Sequence, residues 1–406
     1  MTIETGVLNL IRQTVSGMES EIIDFLSQLV RAKSINPPGD TITASAVIQE
    51  KLKEFKNPYE IHSFDDDKPN IILRAGNRKG KSVCFNSHMD TVPVGDISKW
   101  KHDPFGAEIV NGKLYGRGSA DAKGCAAAML MAARVLEKAG IQLNGGLDVA
   151  IVSDEETAGS IGTQYVLDAG LLKPDLVVTG EITSNRIAIA EKGLLILSLT
   201  THGRTAHAST PWEGVSAISK MAKLINEIEN TLGESFKHKR HSLTPPPSFN
   251  FGLIEGGVAV NVVPDECRLT MDRRTIPGES LDEAEQEIAG IIERVKKTDP
   301  TFDAEFSVVY RANAFETHAD SPLVNSAANV CRLMELNPQP VGYQQVSDGR
   351  FFADKGIPTI IIGPGVAELA HTPDEYVSVA AVIEATKLYT LLAVELLESA
   401  DCADSL

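Results

Sequence analysis

The chain has 406 residues, 55 acidic against 38 basic side chains and 43% hydrophobic content, which fits a globular protein of two or three domains and excludes a disordered tail protein. Its net charge of -17 repels nucleic-acid phosphates and anionic lipid heads, so neither nucleic acid nor a membrane surface is an expected partner. No apolar run approaches the ~18 residues of a membrane span, and the opening MTIETGVLNLIRQ carries an acid without a basic leader, so a cytoplasmic protein is expected.

Residues 19–33 place Ile22, Leu26, Leu29 and Val30 on one helical face, and Pro37 and Pro38 end that helix. From there to about residue 187, short apolar runs at 82–87, 147–152 and 175–178 alternate with helical stretches such as 123–138. That alternation predicts an α/β sheet flanked by helices. The next segment reads strand 191–201, helix 214–231, strand 248–255, strand 266–275, helix 281–297 and strand 303–310. This βαββαβ order is ferredoxin-like. Its second helix opens with Ser280 and Glu283 at capping-box spacing, after the turn signal Pro277-Gly278. Residues 233–247, with Lys237, Lys239 and Arg240 followed by three prolines, are expected as a solvated surface excursion. After residue 311 the α/β pattern returns, with helix 322–336, strand 358–362 and a terminal helix over 380–398. The expected organisation is a discontinuous α/β domain, 1–187 and 312–406, split by an inserted α+β domain, 188–311.

Polar clusters follow predicted strands of the first domain or open its alanine-rich helix. His88 and Asp90 come directly after the run 82–86, where a period of two puts them on one side. An imidazole that binds a metal commonly donates its other ring nitrogen to a carboxylate. Taken alone, H-x-D is a weak signal and reads first as a structural or solvated His beside a turn Asp. Asp121, in GRGSADAKG, meets the start of the alanine-rich helix, where the simplest reading is a helix N-cap. Asp154, Glu155 and Glu156 end the run 147–152, and three adjacent acids repel one another unless a cation neutralises them. Glu181 and His371 follow two further strands. Ligands of open α/β sheets bind at the carboxyl ends of strands, so these groups converge. The five cysteines (Cys84, Cys125, Cys267, Cys331, Cys402) lack C-x-x-C spacing, which excludes a disulfide framework and leaves a nitrogen and oxygen donor set suited to zinc or cobalt.

The set HMD, GRGSADAKG, SDEE and AHTPDEY resembles the M20 family of di-zinc amidohydrolases and peptidases, in order and over nearly the whole chain. The resemblance implies a di-metal sheet domain carrying an inserted lid and dimerisation domain, and a homodimer. It makes His88, Asp121 and Glu181 the ligands of one divalent ion and Asp121, Glu156 and His371 those of the other, with Asp121 bridging, zinc expected and cobalt or manganese as alternatives. Glu155 matches the general base that deprotonates a metal-bridged hydroxide's parent water, and Asp90 the partner of the His ligand. The Asp121-Ala122 peptide is expected cis. In the lid, His207 matches an oxyanion donor supplied in trans, so lid closure would precede chemistry. Asn261 and Arg274 match residues that hold the substrate, with Arg273 as the competing choice that strand alternation disfavours. Arg350, in SDGRF, would clamp a substrate carboxylate. Val346 after Gln344 and Gln345 departs from the desuccinylase pattern, which leaves the acyl group open. The implied activity is hydrolysis of an N-acyl amino acid. A carboxypeptidase or dipeptidase acting on a short peptide is the alternative, and a non-catalytic metal-binding protein is the alternative of another class.

Overall fold

The computed structural model describes residues 3–397, which separate into two compact units. The first holds 3–189, 317–341 and 347–397; the second holds 190–316 and 342–346. Against the expected 188–311, the second unit extends a few residues further and takes in the short segment 342–346.

The first unit is built on a mixed sheet in which the strands Tyr59–Ser63, Pro69–Gly76, Gly146–Val152, Ser82–His88, Leu176–Thr179 and Thr359–Ile361 lie side by side in that order. The four strands from Gly146–Val152 to Thr359–Ile361 run parallel. They are buried along their length, as strands covered on both faces must be. One face carries Cys84, Ala150 and Val177 against Val166, Leu167 and Phe352 of the short helices Thr163–Asp168 and Gly349–Asp354. On the other face Phe85 meets Tyr389 of helix Val379–Leu397, with ring centroids 5.5 Å apart.

Helix Lys123–Ala139 packs beside that terminal helix. Its alanines, leucines and methionines are strong helix formers. Gly140 ends it at φ 69, with its N–H returned to Leu136 and Glu137 carbonyls. The small residues at its start let the chain after Thr179 approach closely: a Cβ on Gly180 would lie 2.8 Å from that of Cys125. Cys84, Cys125, Cys267 and Cys331 are all buried and free, and Cys402 lies outside the described residues.

In the second unit the order is Ser248–Gly256, Glu266–Thr275, Gly193–His202, Asp303–Ala312, all neighbours antiparallel. This is the strand order of a ferredoxin-like sheet. Leu195, Leu197 and Leu199 alternate inward from the central strand onto helices Ala217–Phe236 and Leu281–Thr298. The Ser280 hydroxyl accepts the Glu283 N–H, 3.4 Å, at the second helix start. The expected excursion at 233–247 is shorter than predicted, because the first helix runs on to Phe236. Lys239 is engaged with Glu279 and Glu287, each at 2.7 Å.

Candidate metal centre

Parallel register sets the level at which each strand delivers its side chain. His88 lies opposite Val152, and Asn86 and Ile361 lie opposite Thr179, so the chain leaves four strands at one rim. His88 is the last residue of its strand; Glu155 and Glu156 follow Val152; Glu181 follows Thr179; His371 lies in the excursion after Ile361. Asp121 arrives from the loop that precedes helix Lys123–Ala139. The helix cap is Ala122 with no side-chain bond, so the Asp121 carboxylate is not consumed as an N-cap. The Asp121-Ala122 peptide is cis.

The two oxygens of Asp121 face different histidines. His88 Nε2 lies 3.5 Å from Asp121 Oδ1 and 3.7 Å from Glu181 Oε1. His371 Nε2 lies 3.4 Å from Asp121 Oδ2 and 3.2 Å from Glu156 Oε2. Two three-donor groups therefore share one carboxylate. His88, Glu155 and Glu181 also present atoms within 4.8 Å of one another, as do His88, Asp121 and Glu156. The His88 end is closed, whereas the His371 side chain is 55% exposed, so the pair of groups is approached from the His371 side.

The electrostatics show a cluster short of positive charge. Burial, then the charge of Asp121, raises Glu181 well above the usual carboxylate range, and burial likewise raises Glu155 and Glu156. Burial works against ionised Asp121 too, but the imidazoles of His371 and His88 beside it hold it below its ordinary value. Hydrogen bonds to Asp121 and Glu156 push His371 up to about 10. His88 Nε2 is fully buried and has no hydrogen-bond partner. A buried, unpartnered imidazole nitrogen aimed among carboxylates fits a divalent cation, and the donors are of the N/O type that zinc, cobalt or manganese accept.

Asp90 does more than orient His88. His88 Nδ1 lies 3.0 Å from the Asp90 backbone carbonyl and 3.4 Å from its Oδ1. The Asp90 carboxylate also accepts Asn36 Nδ2 at 2.8 Å and the N–H groups of Glu155 and Glu156 at 3.3 and 3.2 Å. It thereby fixes the turn that presents both glutamates. Asp154, at φ 82, shapes the same turn: its carboxylate accepts Thr157 Oγ1 at 2.6 Å, Ile161 N at 3.2 Å and Lys68 Nζ at 3.3 Å.

Arg350 was expected to clamp a substrate carboxylate. Its side chain is 3% exposed, and its guanidinium donates to the carbonyls of Ser347, 2.5 Å, and Ala158, 2.9 Å. Arg350 braces the 347–350 turn against the Glu155 turn. Its neighbour Asp348 is buried, accepts Thr163 Oγ1 at 2.7 Å, and is raised to about 6 by burial, against the opposing charge of Arg350.

His207, Asn261 and Arg274 belong to the second unit. His207 and Asn261 come together on an exposed rim, where Ala208 N donates to the Asn261 carbonyl at 3.0 Å and His207 bridges to Val262. His207 Nδ1 accepts the Ser209 N–H at 3.1 Å, so the neutral ring carries its proton on Nε2, a donor facing outward. Arg274 sits at the far end of strand Glu266–Thr275, and the eight residue steps from Glu266 to Arg274 span about 27 Å. It is half-buried and held by Asp272 at 2.9 and 3.0 Å, whereas Arg273 is buried over the Phe236 ring at 4.2 Å.

Several supporting residues carried no role in the sequence reading. Glu375 and Arg117 lie inside quoted motifs, yet their pairing across 258 residues has no local signal. Asn36 had only the following prolines to mark a turn, and both Asn36-Pro37 and Pro37-Pro38 are cis. Lys123 is buried, donates to the Leu29 and Ala32 carbonyls at 3.0 and 2.7 Å, and is lowered to about 7 by burial.

The family model of Peptidase family M20/M25/M40 matches residues 84–395. Acetylornithine deacetylase of Photorhabdus laumondii is 30% identical over 383 residues, covering 91% of this chain and 96% of that protein. Human carnosine dipeptidase 1 superposes with a TM-score of 0.76 at 18% identity, covering 97% and 99% of the two chains. A dinuclear metal binding M20 peptidase of Bacillus subtilis gives 0.71 at 17% identity, covering 94% and 99%. The two structural likenesses show a shared fold.

Proposed function

This chain belongs to peptidase family M20/M25/M40, and from that premise we propose that it hydrolyses the amide bond of an N-acyl amino acid. The observation that carries the reading is the Asp121 carboxylate divided between two histidine-acid groups, with Glu155 beside them. The deacylase choice is supported by the acetylornithine deacetylases, to which the chain is about one third identical. His88, Asp121 and Glu181 would hold one divalent ion, zinc by the donor set, and Asp121, Glu156 and His371 the second. When bound, such ions polarise a carbonyl oxygen and make water a better nucleophile at neutral pH.

The chain's own groups supply the proton traffic and the positioning. Glu155 takes the proton of the attacking water at its carboxylate and returns it to the leaving amide nitrogen, breaking the C–N bond. Its burial and acidic neighbours raise its proton affinity towards the range such a shuttle needs. Asp90 and Asp154 keep the Glu155 and Glu156 turn in place. His207 Nε2–H is the proposed donor to the developing oxyanion. Asn261 and Arg274 are the proposed substrate contacts. Since Arg274 and the His207 rim lie at opposite ends of one sheet, one lid cannot bring both to one small substrate, which supports a homodimer in which His207 serves the other subunit's centre.

A hydrolysis screen of acetylated and succinylated amino acids against dipeptides, with zinc, cobalt and manganese, tests the class; preference for dipeptides would replace the deacylase by a peptidase. Mixing His207→Ala with Glu155→Gln subunits tests the shared site. Each variant is inactive alone and activity returns on mixing; no return refutes the contribution in trans.

A further inference from the structure

Glu375, like Asp90, is fully buried yet holds no place in either donor group. One oxygen, Oε2, accepts Arg117 Nη1 at 2.6 Å. The other, Oε1, accepts two successive backbone N–H groups, Ala120 at 2.9 Å and Asp121 at 3.1 Å. The Glu375 carbonyl accepts the N–H of Gly116 at 2.9 Å, and Tyr376–Ser378 then pairs with Lys113–Tyr115. On the other side of Glu375, Asp374 Oδ1 accepts the N–H groups of Lys101 and His102 at 2.7 and 3.2 Å. The loop that carries His371 is thus fastened just beyond the histidine, and its fastening point is the backbone of Asp121 itself.

A buried ion pair is a weak source of stability, since desolvation offsets the attraction. What this one fixes is geometry. The carboxylate joins two loops of distant sequence position, each bearing a donor that faces the other across 3.4 Å. Groups that orient metal-binding side chains from behind commonly change metal affinity 10–100-fold when removed.

We propose that Glu375 is a positioning residue that locks Asp121 and His371 into one spacing, and that it sets the affinity of the outer cation, held by Asp121, Glu156 and His371. The inference rests on the dinuclear reading given above. Arg117 acts through it, holding the carboxylate while its guanidinium lies 5.2 Å from the Trp100 ring centroid.

The test is a zinc titration of the metal-free protein against a chromogenic chelator, with cobalt spectra and the thermal midpoint of each metal-free variant. In Glu375→Gln the first equivalent binds as in the parent, the second binds about tenfold or more weakly, and its cobalt spectrum changes. Excess metal restores kcat with KM unchanged. A lower thermal midpoint with both equivalents bound at parental affinity overturns the proposal, because that is what a purely structural brace would give. Arg117→Lys is measured alongside, so that a failure of Glu375→Gln to fold leaves a decision. It keeps the carboxylate but loses the planar fork, and weakens the second equivalent by a smaller factor. Parental affinity in that variant also overturns the proposal. A parent protein that binds fewer than two equivalents refutes the dinuclear reading itself, a result distinct from the failure of Glu375.

Discussion

At the scale of single residues, the proposed mechanism depends on a carboxylate that would move a proton and on others that hold it still. Glu155→Gln keeps the shape and removes the base, so kcat is expected to fall about 100- to 10000-fold while the metal content stays at two equivalents, checked by elemental analysis of the variant. Asp154 is a different case, because it sits at a left-handed φ of 82 and its carboxylate closes the turn onto Thr157, Ile161 and Lys68. Asp154→Ala removes those acceptors from a buried turn, with an expected cost of about 1–3 kcal/mol in denaturant unfolding and a loss of kcat through the displaced Glu155. Activity equal to the parent's would show that the turn needs no such support. His88, Glu155, Glu156 and Glu181 could be picked out in the sequence because each follows an apolar run by one to four residues, whereas His371 stands well beyond Ile361 and was singled out by its motif. Glu375, Arg117 and Asn36 were not, because their partners are set by tertiary contact alone. The carbonyls of Ser347 and Ala158 around Arg350 were not legible either, because a motif shows the residue type but not what will surround it.

At the scale of elements, the parallel strands set the rim and the flanking pairs secure it. Strand Tyr59–Ser63 is the edge of the sheet, and Glu60 there receives Arg74 Nη2 at 2.9 Å and His62 at 3.0 Å. The Arg74 hydrogen bond, then that of His62, holds Glu60 at about 2 against its ordinary 4.5. A carboxyl depressed in the folded state stabilises above its unfolded value, and that stabilisation is lost as pH falls through the folded one. Glu60→Gln is therefore expected to lower stability at pH 7 by less than about 1 kcal/mol, given the exposed side chain. The difference should fade between pH 4.5 and 2 in acid titrations of both proteins. In the second unit, Leu197 is fully buried between the sheet and its two helices. Leu197→Ala is expected to cost about 2–5 kcal/mol in the unfolding of that unit. The sequence was most readable here, where alternation in Gly193–His202 and helical periodicity in Leu281–Thr298 agree with the turn and cap signals. The small sheet of Glu108–Val110, Lys113–Tyr115 and Tyr376–Ser378 gave no such signal, because three-residue strands are too short to show a period.

At the scale of the whole chain, a cluster of buried acids is a liability that bound cations convert into stability. Chelation is expected to lower the thermal midpoint, and metal at 100 times its dissociation constant to contribute about 2.7 kcal/mol. A midpoint indifferent to chelator would show that the donors hold no ion. The free cysteines allow that experiment to be resolved in space. Burial raises the thiols of Cys84 and Cys125 well above their usual range, so in the native protein they resist alkylation. Cys84, Cys125 and Cys331 lie in the first unit and Cys267 in the second. Mass-resolved labelling during a temperature ramp would consequently date the opening of each half on its own clock, and metal should delay the first set of adducts more than the second.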